Sequence, residues 1–280
     1  MGTSTNYSGS PNWGAAKNET TRAGGEGHVT PQKAGSIVSG FVDQMARAPQ
    51  LGFGAPLSSQ GGGSTTRSGG GGGSEGVGGA SGGGGGRGGG GGGGTRRIGG
   101  SARSVARGIG SFLADVGTKG FREALAERGL TDLTGKSPDE IALSLADLLG
   151  GPASLIEQTA LRGALMELVL EWSKDVQGID GLVESVTNAA QNIEGALHDF
   201  FGHYIFEVFK TVGYQGVLAT HGFEKAESMA GQIREFIDAK IGGLEASRAL
   251  SSVDWNGTAG AAIVDGIVAD TIAIFGEEQS

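Results

Sequence analysis

The stretch GLVESVTNAAQNIEGALHDFFGHYIFEVFKTVG, residues 181–213, decides the fold. Leu182, Val183, Val186, Ala189, Ala190, Ile193, Leu197, Phe200, Phe201, Tyr204, Ile205, Val208 and Phe209 recur in it at helical spacing, which predicts a helix from Ile179 to near Gly213. Its aromatic half belongs at the centre of a core. No convincing period-two alternation occurs elsewhere, so the expected fold is all-α: a bundle of about six helices behind a disordered N-terminal tail and a poly-Gly linker.

The flanking segments supply the rest of that bundle. Val105, Ile109, Phe112, Leu113, Val116, Phe121, Leu125 and Leu130 trace an apolar stripe that should break near Gly117 to Gly120 and stop at Gly129. Ser137-Pro138-Asp139-Glu140 has the form of a capping box with proline at the first helical position, and Ile141, Leu145, Leu148 and Leu149 give the helix it opens an apolar face. After Gly150-Gly151-Pro152, Leu161, Leu165, Leu168 and Trp172 share one face of a third helix. Two more helices, about Phe223 to Ile241 and Thr258 to Phe275, complete the set.

The N-terminal third is different in kind. Residues 1–29 are polar, with only Tyr7, Trp13 and Val29 as sizeable apolar groups, and are expected to form a flexible tail without a core. Residues 30–48 read as a short amphipathic helix, opened by Thr30-Pro31 and carrying Ile37, Val38, Phe41, Val42 and Met45 on one face. Alone it is marginal, so it needs a surface, either the acidic domain or a partner. Residues 49–100 form a Gly-rich linker, with glycine at 25 of the 40 positions from Gly61 to Gly100. Ordering that backbone would cost about 1–2 kcal/mol per residue with no side chain to bury in return. As a flexible coil its root-mean-square span is roughly 35 Å, enough to let the tail search a neighbouring protein. Residues 101–280 are the acidic all-α domain.

Charge divides along the same line, at +6 for residues 1–110 and −15 for residues 111–280. The acidic body should be repelled by nucleic acid and anionic lipid, whereas Arg96, Arg97, Arg103 and Arg107 could attract either, or an acidic protein face. Only Arg67, Arg87, Arg96 and Arg97 interrupt the glycines, without Phe or Tyr to stack on bases, so direct nucleic-acid binding is not expected. Absence of cysteine excludes disulfides and thiolate chemistry. No apolar h-region follows Met1, and the apolar run from Ala259 to Phe275 is short and interrupted by Asp265 and Asp270, so the expectation is a soluble, cytoplasmic chain with no membrane partner.

Candidate chemistry is sparse. Thr134-Gly135-Lys136-Ser137 lacks the upstream glycine of a phosphate-binding loop, since that position is Leu130. His198 and His203 are five residues apart, which places their rings about 140° apart on a helix, so the expected contacts are local ones, Glu194 with His198 and His203 with Glu207. A metal hydrolase built on the two histidines would require stoichiometric metal. No catalytic residue, metal or cofactor is assigned. Gly2 stands apart: once the initiator methionine is removed it offers an unhindered amine with a pKa of about 7.7–8.0. Asn6 occupies the position where a myristoylation signal needs Ser or Thr.

The start Met1-Gly2-Thr3-Ser4-Thr5-Asn6-Tyr7-Ser8-Gly9-Ser10, the segment Arg22-Ala23-Gly24-Gly25-Glu26-Gly27-His28-Val29-Thr30, the glycine tract and the helix from Ser101 to Asp115 together resemble the QatB family, the B components of four-protein Qat anti-phage operons. The resemblance implies three operon partners: an ATPase, a QueC-like deazaguanine enzyme and a TatD-like nuclease. It further implies that the QueC-like enzyme activates a carboxylated 7-deazaguanine with ATP and transfers it to the terminal amine of Gly2, with Thr3, Ser4, Thr5, Asn6 and Tyr7 threaded into the enzyme's pocket. The chain would then be substrate and scaffold and not a catalyst. The alternative is an adaptor whose Gly/Arg linker holds nucleic acid for a partner nuclease.

Overall fold

The computed structural model describes residues 13–47, 101–131, 136–150, 155–174, 176 and 178–276. Those residues are predominantly helical, with no strand among them. In chain order the helices are α1 (Gly14–Gly24), α2 (Pro31–Arg47), α3 (Ser101–Lys119), α4 (Phe121–Ala126), α5 (Pro138–Gly150), α6 (Leu155–Ser173), α7 (Gly178–Gln191), α8 (Ile193–Phe209), α9 (Gln215–His221), α10 (Phe223–Ile241) and α11 (Thr258–Gly276), with a π-turn at Lys210–Tyr214 between α8 and α9. This exceeds the expected six because several stripes are divided by breaks and α1 is an addition.

α8 is the axis of the bundle. Nearly every residue from Ile193 to Phe209 is buried, as befits a helix at the centre of a core, and α2, α3, α6, α7, α10 and α11 all pack against it. Phe200, Phe201 and Tyr204 form its aromatic centre, with the Phe200 and Tyr204 rings stacked at 6.4 Å. Leu161, Leu165, Leu168 and Trp172 close the core from α6 as their spacing predicts.

Two boundaries differ from the expected ones. The helix expected to run unbroken from Ile179 to near Gly213 is interrupted at Asn192, which leaves helical geometry and accepts the Gly195 amide on its side chain at 3.1 Å. Asn192 falls on the polar face of the repeat, so periodicity alone does not mark it as a cap. Conversely, Gly213 does not end the helix. It lies within the π-turn, where an added Cβ would meet Phe41 Cζ at 2.9 Å, and the stop comes at Gly222, whose φ of +85° suits glycine. The break expected near Gly117 to Gly120 occurs at Gly120. At Ser137 and Glu140 the two reciprocal capping bonds are formed, 2.8 and 3.2 Å.

The amphipathic α2 docks on this same body. Ile37, Val38, Phe41, Val42 and Met45 are all buried, and α2 packs on α8, α10 and α11. The segment expected to be flexible to residue 29 also departs from expectation, because residues 14–24 form α1 and pack on α2, α9 and the π-turn. Helices α1 and α2 therefore belong to one compact unit with α3 to α11.

α11 is, among the described residues, the helix long and apolar enough by length and composition to cross a membrane. In the fold it buries Val264, Ile267, Val268, Thr271 and Phe275. Its two acids are paired, Asp265 with Arg103 and Asp270 with Arg248.

Candidate functional site

Gly2 and the segment Thr3 to Tyr7 lie outside the described residues, as do Arg96 and Arg97. What the structure describes begins at Trp13. Trp13 sets its ring 5.7 Å from that of Phe41, which meets Phe209 edge-on at 5.8 Å. Behind it, α1 presents a face of small residues, Ala16, Thr20, Ala23 and Gly24, to the body. Thr20 is fully buried without an unpaired hydroxyl, since its Oγ1 donates to the Ala16 carbonyl at 2.7 Å.

The far end of α1 is held by hydrogen bonds to α9 and α10. His221 Nε2 donates to the Thr21 carbonyl at 2.7 Å, Lys225 Nζ donates to the Gly25 carbonyl at 2.9 Å, and the Val29 amide donates to Gln232 Oε1 at 2.5 Å. Gly24 sits directly on Val217, leaving no room for a Cβ. The Arg22 to Thr30 segment is thus a docking turn. Covalent geometry then bounds what the terminus can reach: eleven residue steps lead from Gly2 to Trp13, so the amine lies within about 40 Å of that anchor.

Of the basic residues singled out in the sequence, Arg103 is committed to Asp265 through its Nε at 2.5 Å, and Arg107 is half-buried on the same helix. The acidic body uses Arg103 itself.

The two histidines of α8 face different neighbours: Glu194 and His198 are brought together as their spacing predicts, whereas His203 bonds to residues of other helices and not to Glu207. Arg234 can only donate, so His203 accepts it on Nδ1 at 2.9 Å and passes its Nε2 proton toward Glu171 at 3.0 Å. Glu207 pairs instead with Lys210 at 2.7 Å. Beside this chain, Glu167, Leu170, Glu171, Ser173, Lys174 and Arg234 line a surface cavity of about 360 Å³. Asp199, whose side chain reaches the surface, is crowded by the same groups: burial first, then the Glu171 carboxylate, push its pKa up to about 6.

His198 lies on the opposite side with Glu194 and Asp270, the ligand-type atoms of all three within 4.8 Å of one another. Arg248 bridges the two carboxylates, at 2.8 Å to Glu194 and 2.9 Å to Asp270. The other Glu194 oxygen accepts the amides of Ser247 and Arg248 at 2.8 and 2.7 Å. His198 Nε2 is buried and has no hydrogen-bond partner among the described residues. An unpaired buried nitrogen costs about 1–3 kcal/mol, and burial holds the imidazole pKa below its usual value. Sequence reasoning paired Glu194 with His198 but missed Asp270 and Arg248, which arrive from segments more than fifty residues away.

The family described as Qat anti-phage system associated protein QatB has a model that matches residues 89–275, about two thirds of the chain. Residues 1–88, including α1 and α2, lie outside the match. No curated protein and no solved structure matches the chain.

Proposed function

The chain belongs to the QatB family of the Qat anti-phage system, and we propose that within that system it serves as protein substrate and scaffold, presenting the amine of Gly2 to a QueC-like enzyme of the same operon. The amine attacks the activated carboxyl carbon of a 7-deazaguanine, the activating group leaves, and an amide forms with loss of one proton. The helical unit does no chemistry in this reading. It holds the arm and offers surfaces to the ATPase and the TatD-like nuclease, in the cytoplasm.

The observation that carries the proposal is the anchor at Trp13. Among the described residues packing begins there, on Phe41, and Met1-Gly2 precedes it by a stretch whose covalent length is enough to enter another protein's pocket. The nucleic-acid alternative is weaker because Arg103 is already spent on Asp265.

Intact mass spectrometry of the chain produced with and without its operon neighbours is the direct test. The expected result is a mass increase that maps to the N-terminal peptide and requires the QueC-like protein; an unmodified terminus in active co-expression rejects the assignment. Gly2 replaced by a bulky residue that retains Met1 is expected to lose both the mass increase and protection from phage.

A further inference from the structure

We propose that Glu194, His198 and Asp270 form a binding site for a divalent transition-metal ion, with Arg248 as the built-in cation that the metal displaces. Glu194 and His198 stand one turn apart on α8, and Asp270 faces them from α11, bringing one nitrogen and two carboxylate donors within 4.8 Å of one another. Metal bonds of about 2.0–2.2 Å would draw them closer by roughly 1 Å, within reach of a small rotation of Asp270.

Two independent features point to a ligand. His198 is 3% exposed, yet its Nε2 has no hydrogen-bond partner among the described residues, and such a nitrogen calls for a physical explanation of which a bound ion is one. Secondly, the position already demands positive charge: one guanidinium spans both carboxylates. Two carboxylates, a neutral imidazole and one arginine leave a net charge of −1. Exchange of the guanidinium for a divalent ion brings the cluster to neutrality.

The construction of the site permits that exchange. Arg248 is 40% exposed, so its head can swing into solvent at modest cost. Its backbone amide stays behind with that of Ser247, pinning Glu194 Oε2 and leaving Oε1 turned to the cluster, as outer hydrogen bonds orient metal-bound carboxylates elsewhere. An imidazole with carboxylates favours zinc, cobalt or manganese over calcium and magnesium. Three protein donors leave a coordination position open on the side of half-buried Asp270.

The test uses the purified full-length chain, titrated with Co²⁺ and followed by visible absorption, then equilibrated with Zn²⁺, dialysed and assayed for zinc. One ion per chain is expected. His198→Asn and Asp270→Asn should each weaken binding at least tenfold, Arg248→Ala should tighten it by at least tenfold, and His203→Asn should leave it unchanged. Circular dichroism verifies folding, and if His198→Asn fails to fold, Asp270→Asn and Arg248→Ala decide. Less than a tenth of an ion per chain in both the wild type and Arg248→Ala overturns the proposal, as does weaker binding in Arg248→Ala or equal loss in His203→Asn.

Discussion

A Cβ on Gly24 would fall 2.5 Å from Val217 Cγ1, closer than side chains pack, so the contact between α1 and α9 depends on a hydrogen atom at that position. Gly24→Ala is expected to cost about 1–3 kcal/mol by overpacking, read as a lower urea midpoint, with hydrogen exchange rising first in residues 14–29. Asp199 gives a second prediction at this scale. Folding raises its pKa to about 6 from 3.8, so between those values the folded chain binds the proton more tightly than the unfolded chain. Its contribution to stability is full below about pH 4 and is lost as pH rises through 6. The side chain is partly solvent-exposed, and screening limits the effect to no more than about 1 kcal/mol. Asp199→Asn should therefore raise the denaturation midpoint at pH 7, leave it unchanged at pH 4, and flatten the slope between.

At the scale of elements, legibility in the sequence tracks where burial is carried by large apolar side chains. α10 was legible to its ends, Phe223 and Ile241, because Ile233, Ile237 and Ile241 recur at helical spacing above a glycine boundary. α1 was not. Its buried face is Ala16, Thr20, Ala23 and Gly24, residues with little apolar area that pack only because α9 and the π-turn come close, and such fit leaves no periodic signal. The Glu194, His198 and Asp270 cluster was half legible for the related reason that α8 supplies two members four residues apart, while α11 and the segment bearing Arg248 join them only through tertiary packing. Caps follow the same rule. Ser137 announced itself with Glu140 three residues later, whereas Asn192 stood alone within a helical repeat. Asn192→Ala, which removes the acceptor for the Gly195 amide, is expected to destabilise the fold by about 1 kcal/mol, measurable by chemical denaturation.

For the whole molecule, the placement of α1 and α2 changes what the glycine tract is for. The sequence suggested a tether that gives the N-terminus its reach, but α2 and α3, the helices on either side of the tract, both pack on α11 in one compact unit. The tract therefore joins two docked helices, and the reach of Gly2 is set by the residues before Trp13. These roles separate by deletion. Halving the length of a connection changes its closure entropy by only about 0.6 kcal/mol, so removal of residues 70–93 should leave the urea midpoint nearly unchanged and leave Gly2 modification by the QueC-like enzyme intact. Removal of residues 8–12 keeps Gly2 to Tyr7 but shortens the maximum reach from about 40 Å to about 20 Å. Modification of Gly2, scored by intact mass in the same co-expression, is expected to fall at least tenfold in that variant. Were the tract deletion to abolish modification and the arm deletion to spare it, the anchor at Trp13 would have to release during the reaction.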